Sequence, residues 1–305
     1  MKLLYQGADI YNQVSVNTCI YDSYGEQRPD ALRIVFNDGN NVWDSWGPSK
    51  GDTIQVILGA CNTGQMYINE VKPENGKMSL RATSVPQGHN EAYSKSWEYI
   101  HFKQICNEVA SRHNLRCEFH GVEDQIYKYV KQQNKEDFIF LEERCVLEGC
   151  AFLVYDGKLV VYSESNLESK EPIGNLLITN TAKFEYEDRS SDYYGKCNLK
   201  NGSLTGTYCV DDAGKILTKV MDILIASQAE ANRFAKNILR FENKKMTAAI
   251  CDNDVFFPGY AAGSLINIKT PGVQSWNGKV FCSHVRHDLV KAKTKLFFRK
   301  PLEGY

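Results

Sequence analysis

The sequence predicts an α+β protein that is mostly β, with two antiparallel β regions flanking a small α+β block. Three observations carry this. Both ends of the chain show short alternating apolar runs between turn residues, the middle switches to helical spacing, and the two β regions echo one another.

In the first region, strands are predicted at 15–21, 31–36, 53–58, 65–71 and 77–83. Asn37-Asp38-Gly39-Asn40, Pro48-Ser49-Lys50-Gly51 and Pro73-Glu74-Asn75-Gly76 separate them. The Asn-Gly step in the last lies between two alternating runs, a hairpin signal. Strands of this length and spacing suggest a barrel or a sandwich. After Pro86-Gln87-Gly88-His89-Asn90 the period changes. Phe102, Ile105, Cys106, Val109 and Ala110 line one face of a helix expected over 97–112. A second helix is expected from Asn134 as cap, with Asp137 three residues on, Phe138, Leu141 and Cys145 on its face and Gly149 closing it. Strands at 151–155 and 158–162 join through Asp156-Gly157.

Residues 163–172 are polar, carry Glu164, Glu168, Lys170 and Glu171, and read as a linker. The β pattern then returns at 182–186, 206–210 and 216–220. Ser227 and Glu230 make a capping box for a helix near 227–243 whose stripe is Ala231, Phe234, Ala235, Ile238 and Leu239. Strands follow at 247–251, 265–268, 279–285 and 294–298, with a hairpin turn at Trp276-Asn277-Gly278-Lys279. The expected domains are 1–91, 92–168 and 169–305, the last including the helix.

The echo is specific in position. Gly51, Ile54, Val56, Gly64, Tyr67 and Val71, followed by Leu80, match Gly263, Ile266, Ile268, Gly278, Phe281 and Val285, followed by Leu296. Each Gly opens a strand, alternate apolar residues face a core, and a turn leads to a paired strand. Either the region is duplicated, or two β meanders share a common pattern.

Composition excludes some classes. With 305 residues, 43% hydrophobic and 24% charged, the chain can build two or three cores and is not disordered. A formal net charge of −1 provides no basic field for sequence-specific nucleic-acid binding. Met1-Lys2-Leu3-Leu4-Tyr5-Gln6-Gly7 lacks the apolar run of a signal peptide, and no segment approaches the ~18 apolar residues of a membrane span. Cytosolic synthesis and no membrane partner are expected. The ten cysteines include no CxxC pair, and Cys145 with Cys150 lacks a second pair, so buried free thiols are expected rather than zinc.

No cofactor, metal or catalytic residue is assigned. His284, His287 and Asp288 could suggest a cluster, but a regular strand sends the two histidines to opposite faces. Asp252-Asn253-Asp254 begins like a calcium loop without its Gly or closing Glu. The neighbours Glu136-Asp137 and Glu142-Glu143 point apart on a helix. No GxSxG, phosphate loop or HExxH is present. Trp43, Trp46 and Trp97 are either core or partner anchors.

At Gln133-Asn134-Lys135-Glu136-Asp137-Phe138-Ile139-Phe140-Leu141-Glu142-Glu143-Arg144, with Gly149 and Phe152-Leu153-Val154-Tyr155-Asp156-Gly157-Lys158-Leu159, the chain resembles the phage late control gene D family, baseplate hub proteins of contractile tails. Members carry a similar polar start, an Asp-x-x-Phe-Leu helix, a Gly and a Gly-x-Leu turn. The helix at 102–113 and the C-terminal order, 229–239, Gly263, Gly278-Lys279-Val280-Phe281 and Val285-Arg286-His287-Asp288-Leu289, also resemble it. Residues 187–226 match nothing in it, and Lys135 stands where Glu is commoner.

The resemblance implies two similar antiparallel tube-like β-barrel domains with the small α+β domain between them. It further implies a non-enzymatic homotrimer whose six barrels join a sixfold tail tube to a threefold spike. Partners would be the tube or tube-initiator protein, the central spike and other baseplate proteins, assembled after synthesis in a bacterial cytoplasm. His287 falls where hub proteins often have His, which implies packing or hydrogen bonding. The alternatives are a particle-associated cell-wall hydrolase and a carbohydrate-binding tail adhesin.

Overall fold

A computed structural model describes residues 1–86, 91–179 and 182–305. The turn cluster expected around 86–90 lies outside the described residues from Gln87 onward. The N-terminal β region comprises β1 (Lys2–Tyr5), β2 (Ala8–Asp9), β3 (Ser15–Tyr24), β4 (Ala31–Asn37), a short α1 (Val42–Trp46), β5 (Thr53–Leu58), β6 (Cys61–Asn62), β7 (Met66–Glu74) and β8 (Lys77–Thr83). The middle block holds β9 (Ala92–His101), α2 (Phe102–Arg112), β10 (Arg116–His120), β11 (Ile126–Glu136), α3 (Asp137–Leu147), β12 (Cys150–Tyr155) and β13 (Lys158–Ser163). Next come α4 (Glu164–Glu168), β14 (Asn175–Leu177), β15 (Lys183–Asp188), β16 (Tyr194–Asn201), β17 (Leu204–Cys209), β18 (Lys215–Val220) and α5 (Gln228–Asn243). The chain ends with β19 (Thr247–Asn253), β20 (Leu265–Lys269), β21 (Gly278–Asp288) and β22 (Lys293–Arg299). The α+β, mostly β character follows the sequence pattern.

The first β region curls around one core of Leu3, Cys19, Ile34, Phe36, Trp43, Ile54, Val56 and Leu80. The second curls around Leu176, Cys251, Ile266, Ile268, Trp276, Val285 and Leu296. We call them barrel 1 and barrel 2. They are not separate sheets. β3 pairs antiparallel with β21, so both walls belong to one 14-stranded sheet. That pairing spans most of the chain length, and no local pattern signals it.

The helix at 227–243, expected with the second barrel, packs elsewhere. Its Ala231, Phe234, Ala235, Ile238 and Leu239 share a core with Phe102, Ile105, Phe140, Leu141 and Phe152 of the middle block and with Cys197 and Leu199 of β16. Strands β17, β16 and β18 form a separate three-stranded sheet against it. Gly206 of β17 lies so close to α5 that a Cβ there would sit 2.2 Å from the Ala231 carbonyl oxygen. The physical reason is topological: residues 189–246 leave the barrel wall between β15 and β19, so the helix's apolar stripe must find another apolar face.

Two helix starts also differ. Trp97 lies in β9, and α2 begins only at Phe102, after the extended His101. Asn134 lies in β11 with φ 44°, at a register shift, and α3 begins at Asp137. Gly149 follows α3 with φ 64°, the left-handed stop expected of it. At α5 half of the expected capping box forms: Ser227 Oγ accepts from the Glu230 amide at 3.1 Å, but Glu230 Oε2 accepts from the Ala226 amide, one residue before the cap, at 2.7 Å. The expected linker at 163–172 contains α4, whose Glu164 and Glu168 are only 3% and 5% exposed.

Candidate functional site: two matched walls, their seam and their edges

The two walls have the same strand order. Barrel 1 runs β3-β4-β8-β7-β5-β1 and barrel 2 runs β15-β19-β22-β21-β20-β14. Each set also follows the same order along the chain. The last strand in each order differs: β1 is antiparallel to β5, whereas β14 is parallel to β20.

The echoed residues occupy matching register. Thr53 pairs with Tyr67 and Leu265 with Phe281, one residue before Ile54 and Ile266 in each wall. Val71 pairs with Leu80, and Val285 with Leu296. Both walls carry a β-bulge at the same place, between Ile68 and Glu70 and between Cys282 and His284. A bulge bends a strand and re-aims its pairing partners. Ile54, Val56, Ile266 and Ile268 are buried in their cores. Gly51, Gly64, Gly263 and Gly278 all have positive φ, which explains why glycine recurs at these four strand entries.

The seam between the walls holds the histidines. His284 Nε2 bonds Asp22 Oδ1 at 2.7 Å, and its ring stacks on Tyr24 at 4.5 Å and on Phe297 at 4.2 Å. Arg286 Nε donates to the same oxygen at 2.7 Å. Burial alone would raise the Asp22 carboxyl, but these bonds outweigh it and hold it below its usual value. His287 is buried, with Nδ1 on Thr294 Oγ1 and Nε2 on the Tyr260 carbonyl, and burial lowers its pKa. Tyr21 Oη donates to Asp30 Oδ2 at 2.5 Å and the Tyr24 amide to Asp30 Oδ1 at 2.8 Å. Burial nonetheless pushes the Asp30 carboxyl up to about 7.

Of these, Tyr21, Tyr24, Asp30 and His287 border a cavity of about 290 Å³ lined also by Cys61, Tyr155 and Tyr260. Both His287 nitrogens and both Asp30 oxygens are engaged, so this arrangement presents no unoccupied base. Among the described residues no three His, Cys, Asp or Glu side chains gather as a metal site. Asp252 and Asp254 instead pair with Lys295 and Lys293. Trp43 and Trp97 are core residues.

A buried charge cluster joins the modules. Glu26 follows β3, Glu164 and Glu168 lie on α4, Arg240 and Lys244 on and after α5, and Arg299 ends β22. Arg299 meets Glu26 at 2.8 Å and Glu168 at 2.6 Å, Arg240 meets Glu168 at 2.6 Å, and Lys244 meets Glu26 at 3.0 Å and Glu164 at 2.5 Å. Three carboxylates face three cations, so the cluster is neutral overall. Burial opposes ionisation of Glu26, yet Arg299 and Lys244 pull its carboxyl down to about 2. Sequence reading missed the cluster. A signal was available: Glu164 and Glu168 are spaced like Arg240 and Lys244, one helical turn apart.

The motif Asp137 is equally structural. Its carboxylate accepts from Arg112 at 2.7 and 2.6 Å and from Gln132 at 2.8 Å, with His113 Nε2 at 3.0 Å. Burial opposes its ionisation, but these bonds hold it well below the usual carboxylate range. It therefore fixes α3 to α2 and β11.

No protein-family model matches the chain, and no curated protein matches it. Solved structures do. A tail protein from Neisseria meningitidis superposes with a TM-score of 0.74 at 12% identity, covering 98% of this chain and 95% of its own. The 43 kDa tail protein of prophage MuSo2 from Shewanella oneidensis gives 0.74 at 9% identity, covering 98% of both chains. An E. coli component of the type VI secretion system, which exhibits structural similarity to the T4 bacteriophage tail proteins gp27 and gp5, gives 0.60 at 13% identity, covering 100% of this chain and 79% of its own. The chain therefore has the fold of phage tail and type VI secretion proteins, as the resemblance implied.

Proposed function

We propose that this chain is a structural baseplate hub subunit of a contractile phage tail or a related contractile injection particle. Three copies form a ring whose six barrels meet a sixfold tail tube on one side and a threefold spike on the other. The observation that carries this reading is the matched pair of walls, alike in strand order, register and bulge position. Two such units in one polypeptide give three chains six near-equivalent positions, which reconciles the two symmetries. Its partners are further copies of itself, the tube or tube-initiator protein, the central spike and other baseplate proteins. It is assembled with them in a bacterial cytoplasm.

Light scattering on the purified chain, alone and with tube and spike proteins, tests this. A trimer with a central channel in negative-stain images is expected. A monomer under all these conditions would count against the ring. A peptidoglycan zymogram separates this reading from the hydrolase alternative, since clearing would contradict a purely structural role.

A further inference from the structure

Each wall uses one long strand in two ways. In barrel 2, the first part of β21 pairs with β20, and from His284 onward the same side pairs with β3 of barrel 1. In barrel 1, β7 pairs with β5 only at Met66 and Tyr67. From Glu70 to Glu74, the side of β7 away from β8 carries no strand among the described residues. The counterpart of β3 is β15, which pairs with β19 and with no other strand among the described residues. Each chain thus holds one filled joint and both halves of an empty one.

We propose that the empty halves meet between copies, β15 of one chain adding antiparallel to the second half of β7 in the next. The register places Arg189 opposite Glu70, Asp188 opposite Val71, Glu187 opposite Lys72 and Tyr186 opposite Pro73. This rests on the ring reading above and specifies how its subunits join.

The filled joint supplies the register. Leu80 pairs with Ile34, which pairs with Cys19; Leu296 pairs with Cys251, which pairs with Phe184. Tyr21, Asp22 and Tyr24 therefore correspond to Tyr186, Glu187 and Arg189. His284, Arg286 and His287, which face Tyr24, Asp22 and Tyr21, correspond to Glu70, Lys72 and Pro73.

Charge agrees with this alignment. Arg286 against Asp22 becomes Lys72 against Glu187, with the same sign on the same strand. Tyr24 against His284 becomes Arg189 against Glu70, again of opposite sign. In the single chain these side chains make only exposed pairs: Lys72 with Glu74 at 2.9 Å, Arg189 with Glu187 at 2.5 Å and Glu70 with Arg81 at 3.2 Å. Exposed pairs of this kind are weak and can exchange partners at little cost.

Burial agrees too. Tyr21, covered by barrel 2 and stacked on His287, is 4% exposed, whereas Tyr186 at the matching position is 51% exposed. Val285 is fully buried and Val71 only half-buried.

Backbone direction is consistent. The Arg189 amide donates to the Met246 carbonyl toward β19, so by alternation the amides of Asp188 and Tyr186 face outward. The Leu289 amide donates to the Cys19 carbonyl, so His287, two residues earlier, also faces β3. Pro73 then presents its missing N–H to the open edge. The joint has one ladder bond fewer than its template, and the edge is less open to indiscriminate pairing.

The test uses the full chain. Lys72→Glu and Glu187→Lys should each raise the half-assembly concentration about tenfold or more in mass photometry on dilution, and the two together should restore it. Cysteines in place of Glu70 and Arg189, with the exposed Cys209 changed to Ser, should give disulfide-linked dimers and trimers under mild oxidation. Facing residues at such a pair lie within disulfide reach. Glu70→Cys with Asp188→Cys, one residue out of register, should link far less. All these positions are at least half exposed or on open edges, and circular dichroism checks that each variant folds. A trimer indifferent to both reversals and not linked by the cysteines would overturn this joint and leave the ring standing. A chain that stays monomeric and unlinked would remove both.

Discussion

Barrel 1 and barrel 2 share a wall and differ in surroundings. In barrel 1 a short loop joins the first two wall strands, β3 and β4, and β3 is covered by β21. In barrel 2 the same connection, from β15 to β19, carries 189–246 with a sheet and a helix of its own, and β15 lies open. Wall positions share register while connections and neighbours differ. A wall residue is constrained by two paired strands and a core, whereas a connection is constrained only at its ends.

The comparison can be broken most sharply at the charge cluster, which ties both walls to α4 and α5. Arg299→Met should cost about 3–5 kcal/mol, because Glu26 and Glu168 lose a buried partner. Chemical denaturation measures it, and a loss below about 1 kcal/mol would mean the modules hold together without the cluster. Next come the matched core positions. Ile54→Ala and Ile266→Ala should each cost about 2–5 kcal/mol and similar amounts. Clearly unequal losses in urea melts would show that the two cores are not equivalent.

Smaller is the titration of Asp30, which sits at the seam in barrel 1 only. Its carboxyl, near 7 in the fold and lower when unfolded, contributes stability that is complete at low pH and fades as pH rises toward 7. The slope is about 1 kcal/mol per pH unit between roughly 4 and 7. Asp30→Asn should remove this slope from the difference between wild type and variant; an unchanged slope would assign it to another group. The smallest effect is expected at Tyr186, set against its counterpart Tyr21. Tyr186→Ala should change the stability of the isolated chain by less than about 1 kcal/mol, while Tyr21→Ala costs about 3 kcal/mol or more. Equal losses would mean the β15 face is already covered within one chain.

Much of the wall was legible because alternation and turn chemistry are local. β5 and β8 begin and end where the alternation does. The joining of the walls was not legible, since β3 and β21 are distant in sequence and neither strand advertises its neighbour. The placement of α5 was missed because an apolar stripe specifies that a helix is buried, not against what. Glu164 and Glu168 looked solvated because their partners lie on α5 and β22. The cap of the helix at Asp137 was placed two residues early, at Asn134 instead of Glu136, since Asn134 resembles a cap while its backbone belongs to a bulged strand.

The shared bulge has a mechanical consequence. Because β21 bends at Cys282 to His284, one continuous strand serves its own wall before the bend and the neighbouring wall after it. Load passing from one wall to the next runs along β21 and crosses to β3 through a ladder of backbone hydrogen bonds, not through loops or side chains alone. Pulling the walls apart must shear a ladder of hydrogen bonds nearly at once, so the seam should resist tension as a unit.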